Sequence, residues 1–186
     1  KNSGELVGED GSGASENALH AAWSSLTYGK INKKEILIWG GTDGFCYGYE
    51  NKTVKDADGY DLFEPLWKVD CNEPNYRKDK EGKKIPYATP PGPSELIGTP
   101  VLYEGKVYCA IGQDPEHGDG VGRLSCMDAE TGKVIWKYTD VGRTISTVSI
   151  ADDLVYIAEY AGIIHCLDAN SGKVYWTHDS FSRIWG

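Results

Sequence analysis

The sequence predicts an all-β chain built from four-stranded antiparallel blades, a β-propeller, and three observations carry that expectation. The composition sets 12 Tyr and 6 Trp against 3 Phe and a single Met, among 23 Gly. Aromatic residues punctuated by glycine favour many short strands joined by turns. The chain also repeats itself. Gly122-Arg-Leu-Ser-Cys126-Met-Asp128-Ala-Glu-Thr-Gly132-Lys-Val-Ile-Trp136 returns as Gly162-Ile-Ile-His-Cys166-Leu-Asp168-Ala-Asn-Ser-Gly172-Lys-Val-Tyr-Trp176, with every landmark displaced by 40 residues. Two more strand-like runs precede each copy, and four short strands per period of roughly 40 residues are the signature of a propeller blade.

Read in order, residues 1–21 lead into a first blade at 22–70, an inserted loop spans 71–95, and a second blade covers 96–138 with an insertion at 112–121. A third blade occupies 139–179, and 180–186 begin a further one. The first blade has inner strands at residues 23–28 and 35–39 around a turn at 29–33, then a degenerate hairpin. That hairpin reads Gly44-Phe-Cys-Tyr-Gly48-Tyr-Glu50 and closes on Leu66-Trp67-Lys68. Gly48 stands where Cys126 and Cys166 stand, and Glu50 where Asp128 and Asp168 stand. The second blade places strands at 97–103 and 106–111 about Glu104-Gly105, and the third at 145–150 and 154–159 about Ala151-Asp-Asp.

Each repeated landmark has a physical job. The carboxylates of Asp128 and Asp168 are placed to accept backbone N–H groups two or three residues on, which starts a turn. Gly132 and Gly172 supply the positive φ a tight hairpin needs. Trp136 and Trp176 end the hairpins with large flat surfaces, expected to be largely buried between neighbouring sheets.

The pattern Ala-x-Asp-x-x-Thr-Gly-Lys-x-x-Trp resembles the tryptophan-docking motif of PQQ-like (quinoprotein-type) β-propellers, with cysteine at 126 and 166 replacing the alanine. The resemblance covers nearly all of residues 22–186. WD40 blades share the period but not the ending, since no Gly-His…Trp-Asp pairing occurs. The motif is specific for fold and almost silent on chemistry, because one blade design serves enzymes and non-enzymes. Arg183-Ile-Trp185-Gly186 resembles Ala21-Ala-Trp23-Ser-Ser at the start of the first blade, so about three blades of a larger, incomplete ring are expected. Three blades alone leave two apolar faces open. A fragment, or a ring completed by missing blades or other chains, follows from that.

Composition excludes several classes. The net charge is −9, and the one Lys/Arg-rich stretch, 77–84, is interrupted by Asp79, Glu81 and Gly82, which speaks against nucleic acid as partner. No run of 18 apolar residues spans a membrane, and Lys1-Asn-Ser-Gly-Glu5 does not read as a signal peptide. The five cysteines (46, 71, 109, 126 and 166) contain no adjacent pair and no C-x-x-C, and read as free thiols inside strands.

What fails to repeat points to a site. Tyr156 to Gly162 takes six residues, but Tyr108 to Gly122 takes fourteen, so the second blade carries an eight-residue insertion. It and the loop 71–95 emerge on one propeller face, the face on which the resemblance to PQQ-like enzymes places cofactor and substrate. Asp114, Glu116 and Asp119, with His117, bunch oxygen ligands and an imidazole; a Ca²⁺ or transition-metal site and a solvated polar turn both fit. Arg143 points to the central channel, to bind an anion or to donate to loop carbonyls. Tyr76, Tyr87 and Tyr160 are candidates to stack a ring, while His165, within a strand, reads as structural. A separate extension at 51–64 contains Asp56-Ala-Asp58-Gly59-Tyr-Asp61, which lacks the twelfth-position Glu of a calcium loop and reads as a turn on the opposite face.

Two functions follow from the resemblance. One is a non-catalytic, periplasmic or secreted scaffold that binds a protein partner or a small polar ligand on the insertion face. The alternative is part of a quinoprotein alcohol or sugar dehydrogenase using PQQ and Ca²⁺; those enzymes commonly carry a disulfide between adjacent cysteines over the quinone, and no adjacent pair exists here. No motif marks a carbohydrate-active propeller.

Overall fold

Three four-stranded antiparallel sheets follow one another along the chain in the computed structural model, which describes residues 3–186 except 88, 90, 91 and 119. After a short strand β1 (Glu9–Asp10), the first sheet is built from β2 (Thr27–Ile31), β3 (Lys34–Gly40) and β4 (Phe45–Glu50). A small hairpin of β5 (Val54–Lys55) and β6 (Asp61–Phe63) precedes its outermost strand, β7 (Pro65–Asp70). The second sheet uses β8 (Val101–Tyr103), β9 (Lys106–Ile111), β10 (Arg123–Asp128) and β11 (Val134–Tyr138). The third uses β12 (Ser149–Ala151), β13 (Leu154–Ala158), β14 (Ile163–Asp168) and β15 (Val174–Asp179). Within each sheet neighbouring strands pair in chain order, and the sheets do not close a ring. The described helical turns are α1 (Pro74–Arg77) and the 3-10 turns Ala14–Asn17 and Pro115–His117. No helix among the described residues is long and apolar enough to cross a membrane.

The innermost hairpin of every blade closes on two residues of positive φ: Asn32-Lys33 (49° and 69°), Glu104-Gly105 (46° and 74°) and Asp152-Asp153 (51° and 59°). Such two-residue loops match the right-handed twist of the flanking strands. The expected five-residue turn at 29–33 therefore contracts to two residues, because Lys30 and Ile31 continue β2 opposite Glu35 and Lys34. The stretches ahead of the inner strands run instead as extended connections linked blade to blade. Ser25 N–H donates to Thr99 Oγ1 (3.2 Å), and Thr99 N–H to Thr147 Oγ1 (3.0 Å).

Alternation along the strands divides the core into seams. Ile36 and Ile38 face Val107, Cys109, Ile111 and Met127 between blades one and two. Tyr108, Leu124 and Cys126 face Val155, Ile157 and Leu167 between blades two and three. Each such side chain contributes about 1.5–3 kcal/mol by leaving water.

The seams are latched by tryptophan. Trp67 Nε1 donates to Ala129 O (3.1 Å), and Trp136 Nε1 to Ala169 O (3.0 Å), each reaching into the turn of the following blade. The indoles lie on Gly132 and Gly172, whose φ values are 71° and 70°. A Cβ would come within 2.8 Å of Trp67 at the first and 2.6 Å of Trp136 at the second. Glycine is thus required twice over, for the backbone and for the indole. As expected, Asp128 Oδ1 accepts from Thr131 N–H (2.8 Å) and Glu130 N–H (3.2 Å). Asp168 does the same with Ser171 (2.7 Å) and Asn170 (3.1 Å). A shared register shift follows Gly48, Cys126 and Cys166, which confirms the alignment of the three copies.

One expectation needs correction. Trp136 is half-buried, but Trp176 is 46 % exposed, because β15 has no following turn to receive its ring. At the other end, the first blade's outer face is partly covered, beside an open apolar groove lined by Leu26, Leu37, Trp39, Tyr49 and Phe63. β1 pairs in parallel with β6, Tyr49 Oη donates to Asp10 (2.9 Å), and Ala14 and Phe63 pack against Tyr47 and Tyr49. The Asp56–Gly59 segment is the turn of this β5–β6 extension, with Asp56 Oδ1 accepting from Tyr60 N–H (2.8 Å).

Candidate functional site

The two insertions share one rim beside the second blade and are fastened by polar groups withdrawn from water. Asn72 and Ser94 exchange side-chain-to-backbone hydrogen bonds of 2.8 Å, and Ser94 Oγ donates to Val121 O (3.0 Å). Glu95 and Gly112 form an isolated antiparallel bridge. Arg123, on β10 and nearly buried, donates to Asn72 O (3.1 Å) and meets Glu73 Oε1 at 3.2 Å. Arg77, in the last turn of α1, holds Asp70 with two hydrogen bonds of 2.8 and 2.9 Å. Hydrogen bonds of this kind between buried polar groups fix a loop in place.

Arg143 donates to Asp114 O (3.5 Å) and Gly118 O, and its guanidinium stacks over Tyr160 at 4.4 Å. Tyr160 is buried, and Arg183 also lies over its ring and donates to its hydroxyl (3.2 Å). Tyr76 packs its half-buried ring against the first seam. His165 is buried between Tyr138 Oη (3.1 Å) and Glu159 Oε1 (2.8 Å), a structural setting.

Asp114 opens the 3-10 turn of the insertion. Its Oδ1 accepts from Glu116 N–H (2.9 Å), and its Oδ2 lies 2.6 Å from His117 Nδ1. A second imidazole, His20 of the N-terminal segment, brings its Nδ1 within 3.4 Å of that Oδ2. Tyr87 Oη donates to Glu95 Oε1 (3.2 Å), and its ring lies 6.1 Å from His117. Glu95 is fully buried, and its Oε2 has no hydrogen-bond partner among the described residues. Burial pushes its carboxyl up to about 7, against the opposing donation from Tyr87. Glu116 is exposed, and Asp119 lies outside the described residues. Next to this cluster, a groove of 530 Å³ runs between the N-terminal segment and loop 71–95, lined by Lys68, Lys78 and Lys84 together with Asp43 and Asp70.

His20 and Glu95 escaped the sequence reading. His20 belongs to no repeat, and Glu95 looked like the ordinary end of a loop. The signal for Glu95 was its place against Leu96 at the start of the second blade, where an acid must either reach solvent or be buried.

Among curated proteins no sequence match was found. Solved structures share the fold at low identity. The chain aligns with BamB from Moraxella catarrhalis at a TM-score of 0.58 and 13 % identity, covering 89 % of this chain and 41 % of that one. It aligns with the quinohemoprotein alcohol dehydrogenase from Comamonas testosteroni at 0.58 and 14 %, covering 89 % and 28 %. Quinohemoprotein alcohol dehydrogenase ADHIIG from Pseudomonas putida HK5 gives 0.55 and 17 %, covering 78 % and 25 %. The chain thus spans less than half the length of each. The profile of one family, described as outer membrane protein assembly factor BamB, matches residues 64–183, which include the second and third blades whole and the Trp67 latch. The chain belongs to that family of PQQ-like β-propellers.

Proposed function

We propose that this chain is a non-catalytic, extracytoplasmic propeller segment that binds a protein partner or a small polar ligand across the face built by residues 71–95 and 112–121. The observation that carries this reading is how the described residues of both insertions are fastened. Ordering each additional residue costs roughly 1–2 kcal/mol, and blade three shows that a blade closes without them. Even so, Arg123, Asn72, Ser94 and Glu95 are buried to hold them in place. The proline-containing stretch at 86–93 lowers the ordering cost by stiffening the chain in advance. The groove beside them carries both signs of charge and suits a polar ligand or a charged peptide. Membership in a family described by outer membrane protein assembly supports a protein partner and a location outside the cytoplasm.

The quinoprotein dehydrogenase reading rests on shared fold alone. Ca²⁺ takes six to eight oxygen ligands, whereas the cluster on this face offers two imidazoles and one carboxylate. All five thiols are buried and none is adjacent to another. These residues do not fit PQQ with Ca²⁺.

Photo-crosslinking residues installed at Glu116 and Lys84, on the insertion face, and at Tyr60, on the opposite face, test the proposal in the native host. Adducts confined to the first two positions, and lost when residues 113–120 are deleted, are the expected result. Equal labelling from Tyr60 would overturn the site. Micromolar binding of PQQ with Ca²⁺, together with dye-linked alcohol oxidation, would overturn the non-catalytic reading.

A further inference from the structure

Among the described residues, one group of three metal-ligating side chains converges, and it joins two segments far apart in the chain. Nδ1 of His20 lies 3.4 Å, and Nδ1 of His117 2.6 Å, from the same oxygen of Asp114. The two imidazole rings are 4.4 Å apart between centroids. One ligand atom from each of the three residues lies within 4.8 Å of the others. Bonds of about 2.0–2.1 Å to a tetrahedral ion set neighbouring ligand atoms about 3.3 Å apart. The His20–Asp114 spacing already has that value, and His117 reaches it by opening less than about 1 Å.

A second observation points the same way. Glu95 is fully buried, its Oε2 lacks a hydrogen-bond partner among the described residues, and its Oε1 accepts from Tyr87, whose ring lies 6.1 Å from His117. A buried polar atom left without a partner is destabilising, and a water held on a cation beside it would donate the missing hydrogen bond. Asp114 itself is almost wholly withdrawn from solvent, while His20 is exposed, so an ion has a way in.

We propose that His20, Asp114 and His117 bind a divalent transition metal of the zinc class, with the fourth position open to a water that Glu95 accepts from. Two nitrogens and one carboxylate suit zinc and not calcium. Bound there, the ion ties the N-terminal segment to the insertion of the second blade, so that the rim of the propeller is clamped across both. The site does not depend on the partner-binding reading above.

The test uses the whole chain stripped with EDTA and then titrated with Zn²⁺ by calorimetry and with Co²⁺ by visible absorption. One equivalent should bind, with the intense absorption of a tetrahedral cobalt site. His20→Gln and His117→Ala should each weaken zinc about tenfold or more, whereas Glu116→Ala, an exposed neighbour in the same loop, should leave it unchanged. Zinc should raise the melting temperature of the wild-type chain and not that of the doubly substituted one. Circular dichroism checks folding, and His20→Gln, altering an exposed side chain, keeps the test valid if His117→Ala unfolds. Absence of saturable zinc binding, unchanged affinity in His20→Gln, or displacement of zinc by equimolar Ca²⁺ would each overturn the assignment.

Discussion

The Sγ atoms of Cys71 and Cys109 lie 3.6 Å apart across the seam between the first and second blades, and both residues are buried. Hydrogen bonding with Cys109 and burial raise the Cys71 thiol well above its ordinary value. Cys109 is raised in turn by its hydrogen bond with Cys46 and by burial. The thiolate is the reactive form, so the native chain should resist alkylation at neutral pH. Thiol titration of native protein should read close to zero, and of denatured, unreduced protein five per chain. A native reading of two or more would contradict the packing of this seam, and a denatured reading of three or fewer would reveal a disulfide.

The three blade-closing tryptophans should differ in what they contribute. Trp67 is buried against Gly132, Trp136 half-buried against Gly172, and Trp176 exposed. In urea unfolding, Trp67→Ala should cost about 3–5 kcal/mol and Trp176→Ala less than about 1 kcal/mol, with Trp136→Ala between them. Equal losses at all three positions would show that the indoles stabilise their own hairpins and do not latch neighbours.

Acid should loosen the turns. The Thr131 side chain, then its backbone N–H, hold the Asp128 carboxyl below its ordinary value of 3.8, and Ser171 does the same for Asp168. A carboxylate with a depressed folded pKa gives stability that is complete above the unfolded value and lost as pH falls through the folded one. The urea midpoint should therefore drop between about pH 5 and pH 2. The Asp128→Asn, Asp168→Asn double variant should be weaker at neutral pH and flatter across that window. An unchanged acid slope would remove these two groups from the account.

Arg123 should control the order of the loop 71–95. Its guanidinium joins Asn72 O and Glu73, while Lys137 keeps Glu73 partnered at 2.6 Å. Arg123→Met preserves much of the volume and removes the fastening. Limited trypsin digestion should then cut within residues 77–84 faster by about tenfold, reflecting a loss near 1.4 kcal/mol in the closed state. Identical digestion rates would mean that the loop is held elsewhere.

The repeat made most of the architecture legible. Asp128, Gly132 and Trp136 recur as Asp168, Gly172 and Trp176, and all but the exposed Trp176 play in space the part their chemistry suggested. Spacing could also place the two insertions together, since one propeller face collects both kinds of connection. Two things were not visible. Strand starts moved from 23, 97 and 145 to Thr27, Val101 and Ser149, because the residues ahead of them run as connections linked blade to blade through Thr99 and Thr147. The cluster on the rim draws on His20, whose neighbours are set by how the N-terminal segment lies across the first blade and not by any local pattern.

The latches all point one way, each indole reaching forward into the turn of the next blade, so the array has a polarity like that of a zipper. Open arrays with complementary ends polymerise head to tail. Here the trailing end offers a bare indole at Trp176. The leading blade has Asn51 and Val54 where the receiving Ala and Gly stand in the others, and Ala14 and Phe63 pack on its outer face. A Trp176 indole would meet no alanine-glycine turn there, so the two ends of the array do not match by the rule that joins its blades.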